Sequence, residues 1–479
     1  MHAKAGVPST MSKFSTLAII DIGKTNAKVV LFDVARKIEF AERRITNRVV
    51  HADPYPHYDS EGLWIFICTA LAEFYQTHGF DAISITTHGA SIALLDENGQ
   101  LALPILDYEH SYPQDVTQAY SLIRPSFPET YSPSLSGGLN VGAQLHYQKA
   151  LFPKAFANVR TILTYPQYWA FRLTGIAVNE VTSLGCHTDL WQPRERAYSA
   201  LVDTLDIREV MAPLHSAFDC VGTMTTDLAD ALKINHNIPV YSGIHDSNAS
   251  LLPHLIVRKA PFSVVSSGTW LIHFAAGGAF EQLDEKRDTL ANVDAYGNAI
   301  PSSRFMGGRE FEILTEMLGP LREIDAEAEI DRVIARKTML LPNLTTGSGP
   351  FSALSHRWVN AEGSSNHAKW AAACLYLALM TETCLSLIGA KGDIIVEGPF
   401  AKNKLFIQLL SCIARRPVIA MQNATGTSLG AAILTGAISV KSENSVSPPP
   451  PPPTYDLDAY CGKWNELVSG AKSYATLNA

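Results

Sequence analysis

The sequence predicts an α/β fold built twice on one plan, and three observations carry that expectation. First, a strand–glycine turn–strand unit opens each half of the chain. It reads LAIID (17–21), GKTN (23–26) and AKVVLFD (27–33) near the start, then FSVVS (262–266), SGT (267–269) and WLIHFA (270–275) past the midpoint. Second, apolar strand-like runs alternate with helical stretches over the remainder, the pattern of sheets flanked by helices. Third, 479 residues exceed what one hydrophobic core organises, so two domains are expected.

The elements follow in order. AISITT (82–87) reads as a buried strand, and HGASIALLDENGQLALPIL (88–106) as a hairpin turning at ENGQ. TILTYPQYWAFRLTG (161–175) reads as a helix that stops at Gly175. PVYSGIHD (239–246) is a short strand ending in a polar cluster. The stretch 246–262 is the expected domain boundary, giving units 15–250 and 251–440 and a remainder 441–479. In the second half DIIVEG (393–398) is a strand and NKLFIQLLSCIAR (403–415) an amphipathic helix. ATGTSLGAAILTGAIS (424–439) is a helix opened by small residues, and the six prolines 448–453 form an extended spacer before a tail expected to be one helix.

Composition narrows the function classes. Lys and Arg number 38 against 46 Asp and Glu, a net charge of -8 with no basic block, which excludes a non-specific binder of nucleic acid or anionic membrane. Seven scattered cysteines without a C-x-x-C pair point away from a disulfide framework or zinc site and towards a reduced, cytoplasmic setting. The opening MHAKAGVPSTMSKFST has no apolar signal core, and Met11 is a candidate start. WAAACLYLALMTETCLSLIGA (370–390) is long enough to span a bilayer. Thr381, Glu382 and Thr383 at its centre instead make it a buried core helix.

The chemistry-bearing residues cluster at strand ends. Asp21 lies beside Gly23 and Thr25, where a glycine admits a phosphate to the backbone, hydroxyls add donors and the acid can hold magnesium. The same segment also reads as an ordinary polar hairpin turn, but its recurrence as SSGT (266–269) suits two turns clamping a polyphosphate. No G-x-x-x-x-G-K-[ST] loop is present. Asp246 fits a general base facing an interdomain cleft, but taken in isolation it reads first as an N-cap before SNAS. EGPFAKN (397–403) sets Gly398 and Asn403 at a strand–helix junction, which suits a base and ribose or a plain turn. His88 and Gly89 follow a strand, as substrate contacts or as a satisfied structural pair. Asp107 and Glu109, beside Tyr108, are suitable acceptors for substrate hydroxyls.

Taken in order, IDIGKTNAKVVLFD, TTHGASIALLDENGQLALPILDYEH, RLTGIAVNEVTSLG, YSGIHDSNAS, VVSSGTW, VEGPFAKNKLFIQ and TGTSLGAAILTG resemble the FGGY family of carbohydrate kinases over roughly residues 15–470. GIHDS and SSGTW are similar to the rhamnulose and fuculose kinase branch, whereas HGA (88–90) looks more like xylulose kinases. The resemblance implies two ribonuclease-H-like, actin-like domains with a cleft between them, and transfer of phosphate from ATP, with Mg2+, to a ketose hydroxyl. It implies Asp21 as the magnesium-associated acid, Thr25 and Lys28 in the first phosphate motif, and Asp246 as catalytic base. Gly268 and Thr269 would form the second phosphate loop, Gly307 and Gly308 would line the nucleotide cleft, and Gly398 and Asn403 would hold adenosine. His88, Gly89, Tyr108 and His245 would contact the sugar. Partners beyond sugar and nucleotide are not implied, and a homodimer is left open.

Two departures from the family pattern stand out. Lys24 replaces a small or hydroxyl residue and is expected to add a cation beside the phosphates. Pro399 replaces the second glycine before the adenosine asparagine. A sugar-independent ATPase, a glycerol or erythritol kinase and a non-catalytic sensor are the alternatives on the same scaffold.

Overall fold

The computed structural model describes residues 14–421, 426–438 and 455–477. The prolines 448–453 lie outside the described residues.

The first hairpin forms as its composition dictates. Thr16–Ile22 pairs antiparallel with Asn26–Asp33, placing Asp21 opposite Lys28. Both strands are apolar along almost their whole length because each is covered on both faces. Ile38–Thr46 adds to the second strand as the outer, mostly exposed edge. On the other side Ala82–Thr87 pairs parallel with the first strand, and Pro239–Tyr241 pairs parallel with Ala82–Thr87. Five strands therefore run in the order third, second, first, fourth, fifth, with Cys220–Thr223 beyond the last.

The second unit repeats that order strand for strand. Phe262–Ser267 pairs antiparallel with Leu271–Ala276, which pairs antiparallel with Ala299–Phe305. Asp393–Glu397 then lies parallel to Phe262–Ser267, and Val418–Ala420 parallel to Asp393–Glu397. The duplication, faint in residue identities, is plain in the topology. Its physical basis is the crossover rule: a parallel neighbour needs a long connection, and both units supply one at their parallel steps.

In the first unit the connection between the fourth and fifth strands carries an inserted layer. Ile92–Leu95 pairs with Leu101–Leu103 as the expected hairpin, and with Thr161–Thr164. TILTYPQYWAFRLTG is thus a strand followed by a helix rather than one helix. Thr161–Thr164 completes the small sheet, and Tyr165–Thr174 is helical up to a left-handed Gly175. Pro166 sits in the first turn, where its missing N–H is harmless, and so marks the switch.

In the second unit the helix Asn366–Leu387 forms the core. It is the one described helix long and apolar enough to cross a membrane, and 83% of its most apolar window is buried inside the protein. The chain end docks on the same core: Trp464 and Tyr460 of the helix Asp458–Leu477 are buried and donate to the carbonyls of Leu340 and Thr338 at 2.9 and 2.8 Å.

The stretch 246–262 opens with a helix. Asp246–Val257 is one continuous helix, so a cut between 250 and 251 falls inside it. This helix packs on Gly426–Leu434, whose Ala431, Ala432 and Leu434 share a core with Leu17 and Ile19 of the first sheet. Ser84 donates to the Ala431 carbonyl at 2.7 Å and Tyr241 to that of Thr435 at 3.0 Å. Residues late in the sequence therefore complete the first unit's far face, because its fourth and fifth strands would otherwise lack a cover.

Candidate active site

Asp246 opens the helix Asp246–Val257, with His245 as the N-cap residue. The capping reading for Asp246 thus fails on geometry. Its carboxylate accepts from the Ser247 N–H at 2.6 Å and lies 3.2 Å from His245 Nε2, with its side chain 30% exposed. A carboxylate in the first turn of a helix lies where the helix dipole favours negative charge. His245 is buried, and its own backbone N–H donates to Thr182 Oγ1 at 3.1 Å. Its imidazole is held above the ordinary value: burial opposes the charge, but the Cys186 thiol, 3.7 Å from Nε2, and Asp246 outweigh it.

Below this pair lies a support that the residue patterns alone did not single out. Glu180 is fully buried, accepts from the Thr182 N–H at 3.0 Å and also from its hydroxyl. Burial pushes the Glu180 carboxyl up to about 7, against those hydrogen bonds. Thr182 thereby links a buried acid to the backbone beside Asp246. The segment RLTGIAVNEVTSLG contains both residues, but nothing in their spacing aims them at His245.

Asp21, Lys28 and the late helix meet on the other side. Lys28 Nζ stands 3.7 Å from Asp21 Oδ2 and 2.9 Å from Glu39, and reaches Ser428 Oγ at 3.5 Å. Thr427 Oγ1 donates to Asp21 Oδ2 at 3.2 Å. Burial pushes the Asp21 carboxyl up to about 6, Lys28 pulls it back, and the Asp246 charge adds to the rise. Thr25 is exposed at the hairpin turn, which is closed by Gly23 N–H to the Asn26 carbonyl at 2.9 Å.

The second turn is built by close backbone approach. The helix Gly307–Leu318 starts against Gly268 and Thr269: Arg309 N–H donates to the Thr269 carbonyl at 3.2 Å. A Cβ on Gly308 would lie 1.9 Å from the Gly268 carbonyl oxygen, so only glycine lets the helix N-terminus reach this turn. Gly398 has φ +79, and a Cβ there would stand 2.1 Å from the Ser267 carbonyl oxygen. The structure therefore brings Gly268, Thr269, Gly307, Gly308 and Gly398 into one neighbourhood.

Pro399 begins the 3-10 turn Pro399–Lys402, where no N–H is required of it. Asn403 stands at the start of the helix that follows this turn. It is buried and caps the helix Lys404–Ala414, accepting from the Phe406 N–H at 3.0 Å.

His88, Gly89 and Tyr108 gather beside His245. A Cβ on Gly89 would lie 3.0 Å from His245 Nε2. The His88 ring packs against Tyr58, Tyr108 and Tyr165 at centroid distances of 5.3, 5.6 and 5.0 Å. Burial pushes the His88 imidazole down to about 4, so it is neutral near pH 7. Its Nδ1 lies 2.8 Å from the Gly89 carbonyl oxygen and must carry the proton, leaving Nε2 a buried acceptor with no partner in the protein.

Lys24 also departs from expectation. Its ammonium pairs with Asp107 and sits 3.3 Å from the Tyr58 hydroxyl and 3.6 Å from Glu109. Asp107 is therefore not a free acceptor. The physical reason is local: the Tyr58 and Tyr108 rings and two acids make a better site for a cation than the turn itself.

Comparison with known proteins identifies the family. The N-terminal domain of the FGGY family of carbohydrate kinases matches residues 16–253, and the C-terminal domain of carbohydrate kinase FGGY matches 259–444. A carbohydrate kinase from Novosphingobium aromaticivorans is 35% identical, with a TM-score of 0.87 over 97% of this chain and 100% of that one. The L-fuculokinase of Salmonella typhi is 23% identical over 274 residues, 56% of this chain. The rhamnulokinase of Halalkalibacterium halodurans is 23% identical over 266 residues, 52% of this chain. The chain spans just over half the length of these two curated relatives, 57% and 54%. The chain belongs to the FGGY family of carbohydrate kinases.

Proposed function

We propose that this protein transfers the γ-phosphoryl group of ATP to a hydroxyl of a ketose in a cytoplasmic sugar-degrading step, with a 6-deoxyketohexose or a pentulose as acceptor. The observation that supports it most is the position of Asp246. Its charge acts on Asp21 on one side and on His88, Tyr108 and His245 on the other, so one partly exposed carboxylate stands between a phosphate turn and a polar pocket.

Each residue then has a task. Asp246 accepts the proton of the attacking hydroxyl, and the Ser247 N–H orients its carboxylate. The Gly23 and Gly268 N–H groups close their turns on the Asn26 and Trp270 carbonyls, so Thr25 and Thr269 hold phosphate oxygens there, and Gly307, Gly308 and Gly398 line the nucleotide side. His88 Nε2 accepts from an acceptor hydroxyl, and Tyr108 and His245 bound the same pocket. Phosphoryl transfer asks mostly for positioning and charge neutralisation, which this arrangement is built to supply.

Magnesium fits the donor set. Among the described residues no group of three or more His, Cys, Asp or Glu forms a protein cage. That suits a cation held by phosphates, water and one or two carboxylates. Asp21 would hold it or its waters, with Thr427 steadying the carboxylate; the ion would neutralise charge on the phosphates. Asp21→Ala is expected to raise the magnesium concentration for half-maximal rate. Below about pH 6, where Asp21 takes up a proton, that concentration should climb about tenfold per unit in the wild type. The variant should lose this extra climb. Identical magnesium profiles would reduce the first hairpin to a structural turn.

An ADP-release assay across L-fuculose, L-rhamnulose, D-xylulose, L-ribulose, glycerol and erythritol tests the reading. The highest kcat/KM is expected for a ketose, with strong rejection of its epimers because a wrong epimer leaves buried polar groups unpaired. Two of the similar proteins are named L-fuculokinase and rhamnulokinase, which favours the deoxyketoses. ADP release indifferent to every sugar would instead establish an ATPase. Glycerol or erythritol as the best acceptor would overturn the ketose assignment.

A further inference from the structure

Lys24 sits in the turn of the first phosphate hairpin, yet its side chain serves the opposite subsite. The ammonium lies 5.0 Å from the Tyr58 ring centroid and 4.5 Å from that of Tyr108. The same two rings pack on His88, whose Nε2 is the buried acceptor without a partner. A donor and an unpaired acceptor thus share two walls. Their surroundings are largely dry: the side chains of Lys24 and Asp107 are 22% and 8% exposed.

An ammonium carries three N–H bonds. Asp107 takes one and the Tyr58 hydroxyl is placed for a second. The exposed Glu109, at 3.6 Å, is beyond hydrogen-bond reach. One N–H therefore has no protein acceptor within that reach, in a pocket where a neighbouring imidazole lacks a donor. Asp107 and Glu109 together outweigh the single positive charge, so the pocket disfavours an anionic acceptor such as an aldonate. A neutral polyol fragment satisfies both vacancies at once.

We propose that Lys24 is a specificity-determining residue of the acceptor subsite, donating to one oxygen of a neutral polyhydroxylated substrate while His88 accepts from a second hydroxyl. This rests on the sugar-kinase reading above and deepens it. Lys24 reads the acceptor, whereas its neighbours Gly23 and Thr25 in the turn serve the nucleotide. The Asp107 ion pair holds the ammonium in place, since a free lysine would explore many rotamers.

The test uses Lys24→Met, Lys24→Arg and the double variant Lys24→Met/Asp107→Asn on the full chain. The double variant removes the ion pair without leaving a buried charge uncompensated, and thermal melts monitored by circular dichroism establish that each is folded. Acceptor KM is expected to rise about 10- to 100-fold in all three, the range for a hydrogen bond from a charged group. The KM for ATP should stay within twofold, and discrimination between epimers at the contacted carbon should collapse. A structural role alone would not move that epimer ratio. Unchanged acceptor KM and epimer ratio in the folded double variant would overturn the proposal, as would a rise confined to the KM for ATP. Calorimetric binding of the same sugars separates the two readings. A wild type that binds a sugar without phosphorylating it refutes the kinase reading, and the variants' Kd ratios then decide Lys24. A wild type that binds none of the sugars overturns both.

Discussion

Asp246→Asn is expected to lower kcat by about 10²–10⁴-fold while leaving acceptor binding close to that of the wild type. The amide keeps the size of the carboxylate and can still accept from the Ser247 N–H, so the helix start is preserved. What it loses is the ability to take a proton. The carboxylate is not the N-cap, because His245 occupies that position, so its removal should not unravel the helix. Asn248 Nδ2, 3.1 Å from His245 Nδ1, keeps the imidazole tethered without it. Steady-state rates and calorimetric sugar affinity on the purified variant check this. Near-normal kcat would mean that proton transfer does not pass through Asp246.

Trp464→Ala is expected to cost about 3–5 kcal/mol, the range for emptying a buried tryptophan site. The indole is fully buried, packs edge-on against Phe351 at a centroid distance of 5.7 Å, and donates to the Leu340 carbonyl at 2.9 Å. Truncation opens a cavity and leaves that carbonyl without its indole partner. With Tyr460, Leu457 and Val468 it anchors the end of the chain to the core around Asn366–Leu387. The thermal midpoint of the second unit should fall, and limited proteolysis should release the tail first. Activity at low temperature should survive, since none of the residues assigned to chemistry lies on this helix. A variant that melts like the wild type would show that the docked helix contributes little to stability. A folded but inactive variant would tie the tail to the cleft.

How much could be read beforehand depends on the range of the interaction. The glycine turns, the hairpin at 96–100 and the helix from 404 were legible because each is governed by neighbours along the chain. The error at 161–175 arose where local signals conflict: the four residues TILT suit either element, and only pairing with Ile92–Leu95 made them a strand. Asn403 shows the same limit at a site residue. An asparagine before a helix reads both as a ligand contact and as a cap, and only the folded chain shows its Oδ1 accepting from the Phe406 N–H.

By itself the sequence determined the α/β duplication, the family and the list of polar residues at strand ends, because strand periodicity, turn glycines and short motifs are local and ordered along the chain. The tertiary structure alone decided which of those residues face one another. Thr427 reaches Asp21 across the whole chain, Glu180 props the backbone beside Asp246 through Thr182, and Lys24 leaves its own turn for Asp107. Such pairings follow from burial and charge in the packed molecule: a carboxylate or ammonium withdrawn from water takes the partner that lies within reach in space, and sequence separation carries no information about that distance.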